Sequence, residues 1–172
     1  MSKKGTRDIK KETALKNFRY NRFLILRYLL AGFFFSNLYW LLMLFMSRSW
    51  YALLPASLFI LTLPAIGEHA KLYGDMTDQI QNKLRHHKFY LSIQLGMNLV
   101  LLVISFTEGG FQRLYPFLTT SSQAKAALVT ILLVGIFMSA FCIHRIRRIY
   151  LQQDKHYEYI QEFAKLKQKA SE

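Results

Sequence analysis

Apolar and charged positions fall into separate blocks along this chain. Four stretches, 28–47, 49–67, 89–107 and 126–143, contain no Asp, Glu, Lys or Arg. A helix rises about 1.5 Å per residue, so about 20 residues cross a hydrocarbon core about 30 Å thick. Each stretch reaches that length once its flanking residues are included. A helix on the surface of a soluble core shows polar residues every three or four positions, and these stretches do not. They predict four transmembrane helices. Only residue 48 separates the first two stretches, and a turn that short makes the two helices antiparallel neighbours. The third and fourth form a second hairpin around a longer connection. The expected fold is all-α: a polytopic membrane protein with four transmembrane helices as two antiparallel hairpins and with cytoplasmic helical extensions.

The flanking sequence divides the chain into a basic N-terminal segment (1–27), the transmembrane domain (28–143) and a tail (144–172). In the first, Ile9, Leu15, Phe18 and Phe23 make a loose apolar stripe. It suits either a basic helix lying on an anionic leaflet or a solvated leader. In the tail, Ile146, Ile149, Gln153, Tyr157, Ile160 and Ala164 recur at helical spacing. This predicts a helix that continues several turns past the fourth span. Its stripe, 146–164, should bury against the inner loop, the N-terminal segment, a second copy or another protein; an amphipathic helix on the membrane surface is the competing reading. The loop 68–88 reads as a helical extension, a turn at Gly74-Asp75 and a second short helix capped by Asp75 or Thr77. Pro64 should bend or end the second span. The connection 108–125, with apolar Phe111, Leu114, Tyr115, Phe117 and Leu118, is expected to lie partly at the outer interface.

Charge sets the orientation. The chain has 23 Lys and Arg against 10 Asp and Glu, a net charge of +13. Nine of the cations precede the first span, four lie in the loop between spans two and three, and seven follow the fourth span. Only Arg48, Arg113 and Lys125 fall on the other side. Cytoplasmic loops carry the excess of Lys and Arg, so both termini are expected in the cytoplasm. Clustering at span ends also explains the basic balance by anionic lipid headgroups. Lys10, Lys11, Arg19, Arg22, Arg145, Arg147 and Arg148 are the expected contacts. No basic motif interleaved with aromatics points to nucleic acid. The first span is expected to be retained, because no small-residue cleavage site follows it. Compactness and the lack of any Asn-x-Ser/Thr sequon suggest a bacterial plasma membrane.

Asn37 and Asn98 fall near the middle of the spans, and with Gln94 they are the candidates for polar contact inside the membrane. Gln94 and Asn98 lie four apart and share a helix face. An amide facing lipid is costly, so these residues should turn inward, as glue between helices or as a small polar path. Gly135 and Ser139, also four apart, suit close helix approach. The two hairpins look weakly alike: Arg27-Tyr28 and Phe89-Tyr90 open them, Asn37 and Asn98 follow at similar offsets, and His69 and His144 lie past their ends. A parallel duplication would produce that pattern.

His69 and His144 could ligate haem, or His69 with Glu68, Asp75 and Asp78 could hold a divalent ion. No compact ligand motif supports either, so no cofactor or metal is expected. Cys142, the single cysteine, excludes an intramolecular disulfide and reads as a buried thiol. No nucleophile elbow, phosphate-binding glycine loop or pair of carboxylates within the spans is present. The function expected is therefore a non-catalytic accessory or scaffold subunit acting through its basic cytoplasmic face, with a protein partner or self-association through 146–164. Ionisable residues, which mark most transport paths, are absent from every span. The alternative is a small oligomeric transporter or channel using Asn37, Gln94, Asn98 and a second helix bent at Pro64.

Overall fold

The structure is a computed structural model that describes residues 13–14, 17–74 and 83–169. Residues 17–22 form helical turns. They are followed by α1 (Leu24–Met46), a 3-10 turn (Trp50–Ala52), α2 (Leu53–Gly74), α3 (Arg85–Ser105), α4 (Glu108–Leu114), α5 (Ser122–Tyr150) and α6 (Lys155–Lys169). The described residues contain no strand. The helices α1, α2, α3 and α5 are long and apolar enough to cross a membrane.

Local chemistry fixes the helix ends. Helix α1 stops where Arg48 enters the left-handed region at φ 50°. There Arg48 N–H donates to the Phe45 carbonyl and Ser49 N–H to that of Leu44, both at 3.0 Å. This is the Schellman arrangement that satisfies the last carbonyls of a helix. Helix α5 starts at Ser121, whose Oγ accepts from Ala124 N–H at 3.2 Å, an N-cap. It ends in a second Schellman turn: Gln152 has φ 55°, its N–H donates to the Ile149 carbonyl at 3.1 Å, and Gln153 N–H donates to that of Arg148 at 3.0 Å. The single helix expected through 146–164 is therefore two helices, with residues 151–154 as the corner between them. Pro64 also departs from expectation in one respect. It removes one amide from α2 but does not end it, and the helix runs unbroken to Gly74.

Helix α1 packs on α2, α2 on α3, and α3 most extensively on α5, while few residues of α1 approach α5. The bundle is thus left open between α1 and α5. Two apolar cores fill it. One, near the end that carries residues 17–23 and α6 (the tail end), is built on Phe23, Leu26, Leu91, Cys142, Ile146 and Ile149. The other lies at the opposite end, where Leu101, Phe111, Leu114, Tyr115, Leu128 and Leu132 meet. Here α4 folds back onto α3 and α5. Polarity is inverted relative to a water-soluble protein: Phe45, Val103 and Ile131 are 74%, 69% and 66% exposed, while Asn37, Thr62, Gln94, Asn98 and Ser139 are buried. The buried hydroxyls bond within their own helices, Thr62 to the Phe59 carbonyl at 2.6 Å and Ser139 to that of Gly135 at 2.8 Å, so they strand no polar atom.

The tail end is closed by an ion pair. Arg22, only 1% exposed, donates from Nε to Asp154 Oδ2 at 2.8 Å and from Nη2 to Asp154 Oδ1. Its Nη2 also reaches the Ile149 carbonyl at 3.3 Å, and the Tyr157 ring lies 5.2 Å from the guanidinium carbon. Arg22 was expected at lipid headgroups; its charge is instead satisfied inside the protein, by the corner between α5 and α6. The same clasp accounts for the tail stripe. Ile146, Ile149 and Ile160 are buried, and Tyr159 meets Phe18 with ring centroids 6.1 Å apart.

Candidate functional site

Between the two apolar cores lies a row of amides. Helix α3 places Tyr90, Gln94 and Asn98 four residues apart on one face, and α1 brings Asn37 opposite them. Tyr90 Oη donates to Gln94 Oε1 at 3.0 Å. Asn37 Nδ2 donates to that same oxygen at 2.9 Å and to the Tyr90 oxygen at 3.1 Å. Gln94 Nε2 then donates to Asn98 Oδ1 at 3.0 Å. Donors therefore point one way along the row, from Tyr90 toward Asn98. Two atoms are left over: Asn37 Oδ1 and Asn98 Nδ2 make no hydrogen bond among the described residues.

The row forms the floor of the opening between α1 and α5, a cleft of about 580 Å³. Its α1 wall includes Gly32 and Ser36, four apart and both exposed. Its α5 wall includes Thr130, Val134 and Gly135. Gly135 is needed for the floor. A Cβ there would sit 2.6 Å from Asn98 Nδ2, so a side chain at residue 135 would displace the Asn98 amide from its place against α5. At the end away from the tail the cleft is closed by aromatics. Trp40 Nε1 donates to the Leu114 carbonyl at 3.3 Å, and its ring stacks on Tyr115 at 5.7 Å between centroids. Burial pushes the Tyr115 phenol well above its usual range, so it stays a neutral hydroxyl. The described residues that line the site supply hydrogen-bonding groups and an apolar wall, which suit it to bind and orient a ligand.

A second polar cluster sits toward the tail end, beyond the reach of spacing arguments. Glu68, from α2, accepts from the backbone N–H groups of His86 and His87 at 2.8 and 2.9 Å. It thereby caps the N-terminus of α3, where a carboxylate also meets the positive end of the helix dipole. Beside it His69 Nε2 and His87 Nδ1 face each other at 2.8 Å, both residues buried. That contact holds one proton, so one ring donates and the other accepts. His69 Nδ1 and His87 Nε2 have no hydrogen-bond partner among the described residues.

Of the residues singled out from sequence, Asn37, Gln94 and Asn98 come together. Pro64 lies on α2, which contributes nothing to the cleft. Arg147 and Arg148 are exposed, Arg19 and Arg145 partly so. Lys10 and Lys11 lie outside the described residues, as do Asp75, Thr77 and Asp78, and with them the expected helix cap and two of the metal-ligand candidates. Among the described residues no group of three His, Cys, Asp or Glu could hold a metal ion. His144 is exposed where His69 is buried, so the two histidines of the weak repeat have different surroundings. Spacing alone did not reveal Tyr90, Gly135 or Trp40 as parts of the site, although Gly135 was marked as a point of close approach. No family model matches the chain, nor does any curated protein or any solved structure.

Proposed function

We propose that the chain is an integral membrane protein whose four helices cross the bilayer as two antiparallel hairpins with both termini in the cytoplasm, and that it serves as a non-catalytic accessory subunit docking a transmembrane helix of a partner protein. Twenty of the 23 cations lie in the sequence segments 1–27, 68–88 and 144–172, which supports this orientation. Lys10, Lys11, Arg19, Arg145, Arg147 and Arg148 then meet the anionic inner leaflet.

The observation that carries the docking reading is the open side between α1 and α5, with Asn37 Oδ1 and Asn98 Nδ2 left over at its floor. Both atoms face the cleft, and a hydrogen bond contributes about 0.5–1.5 kcal/mol net, so an occupant that bonds both gains on that order from each in addition to packing. Gly32 and Ser36 give the α1 wall low relief, the surface that lets a second helix approach closely. Conduction fits less well. The amide row covers only two turns of α3 and meets an apolar core at each end. A bacterial plasma membrane is the setting this reading assumes.

Site-specific photocrosslinking tests it. A photoreactive residue at Ser36 and one at Thr130 should capture the same membrane protein, and one at exposed Val103 should not. Ion or solute flux through liposomes holding only this chain, abolished by Asn98→Leu, would replace docking by transport.

A further inference from the structure

The two atoms left over at the cleft floor specify the chemistry of what docks there. Asn37 and Asn98 are only 4% and 6% exposed, and both line the cleft. Asn37 Oδ1 accepts and Asn98 Nδ2 donates, so the floor offers one acceptor and one donor. That complement does not depend on which way the amides are turned. Reversing Asn37, Gln94 and Asn98 together keeps the row bonded, with Tyr90 donating to Asn37 in place of Gln94, and merely exchanges the two roles. The cleft's described lining residues include no Asp, Glu, Lys, Arg or His.

We propose that the helix docked in this cleft carries an Asn or Gln, whose carboxamide accepts from Asn98 Nδ2 and donates to Asn37 Oδ1. The inference rests on the docking reading above and names the group that the site recognises. A carboxamide is the uncharged side chain that holds an acceptor and donors side by side. A hydroxyl is a poorer match, and this chain shows why. Ser57, Thr62, Ser92, Ser105, Thr130 and Ser139 each donate to a carbonyl three or four residues earlier in their own helix, at 2.6–3.0 Å. A hydroxyl on a partner helix is spent in the same way and has no proton left for Asn37. A charged side chain would lose its water without gaining a counterion. An aliphatic one packs but leaves both floor atoms unpaired.

The test uses three synthetic transmembrane peptides, identical leucine–alanine helices with Asn, Ser or Leu at the central position. Each is mixed with the full chain in phosphatidylcholine vesicles, and energy transfer between labelled protein and labelled peptide gives an association constant. Two hydrogen bonds between helices should make the Asn peptide about fivefold to tenfold tighter than the Leu peptide, with the Ser peptide within about twofold of Leu. Asn37→Leu and Asn98→Leu should each lower the Asn-to-Leu ratio at least about twofold, so the proposal stays testable if one of them does not fold. Self-association of the Asn peptide is common to all protein variants and cancels in that comparison. Ser36→Trp fills the cleft, leaves the amides in place and should weaken all three peptides. Equal association of the Asn and Leu peptides, or an Asn preference undiminished in both Leu variants, would overturn the proposal. Peptides that bind equally and are all displaced by Ser36→Trp defeat the carboxamide alone. Peptides that ignore Ser36→Trp, or none that bind, defeat the docking reading beneath it.

Discussion

Replacing Gly135 by alanine isolates the contact on which the amide row depends. The new methyl would lie 2.6 Å from Asn98 Nδ2 and 3.5 Å from Asn98 Cγ, so the Asn98 side chain must swing away. Its Oδ1 is the acceptor for Gln94 Nε2. The swing breaks that bond and strands a buried donor, at a cost of about 1–3 kcal/mol. Alanine returns up to about 1 kcal/mol of helix propensity. The expected net loss is about 1–2 kcal/mol, on the order of 5 °C in Tm for a chain this size. Gly96→Ala is the matched control. Nothing lies within 4 Å of a Cβ at residue 96, so this variant should be neutral or stabilised by up to about 1 kcal/mol. Unfolding of both variants in detergent, repeated in an Asn98→Ala background, completes a double-mutant cycle. With no amide to displace, Gly135→Ala should then be neutral or stabilising by up to about 1 kcal/mol, like Gly96→Ala, giving a coupling of about 1–3 kcal/mol. A Gly135→Ala loss that persists undiminished in the Asn98→Ala background, or a Gly135→Ala protein as stable as Gly96→Ala, would refute the reasoning.

The clasp at the tail end makes a sharper thermodynamic statement. Arg22→Met or Asp154→Leu alone should cost about 3–5 kcal/mol by leaving one buried charge alone, while the double variant should recover most of that loss; additive losses in chemical unfolding would contradict the pairing. At the start of α3, Glu68→Gln removes the charge and one acceptor, at about 1 kcal/mol. Amide exchange at His86 and His87 should quicken, and unchanged protection would mean the cap lies elsewhere. Trp40→Phe keeps an aromatic ring but drops the bond to the Leu114 carbonyl, at about 1 kcal/mol, and should show as faster amide exchange across α4 with little change at α2.

How much of this was legible in the sequence depends on whether a feature is local. The four apolar helices were, because length and the absence of charge are properties of contiguous residues. The shared face of Gln94 and Asn98 was legible from their spacing. That Asn37 joins them was not, since it depends on how α1 is rotated against α3. Gly135 could be marked as a point of close approach, but what approaches it lies on another helix. Arg22 and Asp154 are 132 residues apart, and nothing near either one distinguishes Arg22 from the cations around it. Glu68 caps a helix whose own N-cap residue, Leu84, supplies no side-chain bond, so no local capping motif exists to be found. The corner after α5 escaped because its left-handed residue is Gln152, with neither glycine nor proline to announce it. Only the ending expected at Pro64 is absent, because losing one backbone bond does not end a helix held by neighbours on both sides.

The central claim, four crossings with both ends of the described chain on one side, is tested most directly by labelling single cysteines with a membrane-impermeant maleimide. With Cys142 replaced by alanine, cysteines at the exposed positions Arg48, Gln112 and Leu151 sample both ends of the bundle. Intact cells should label the first two, and residue 151 should react only after permeabilisation. Labelling of residue 151 in intact cells, with 48 and 112 protected, would contradict the orientation; equal labelling of all three in a soluble fraction would contradict the crossings themselves.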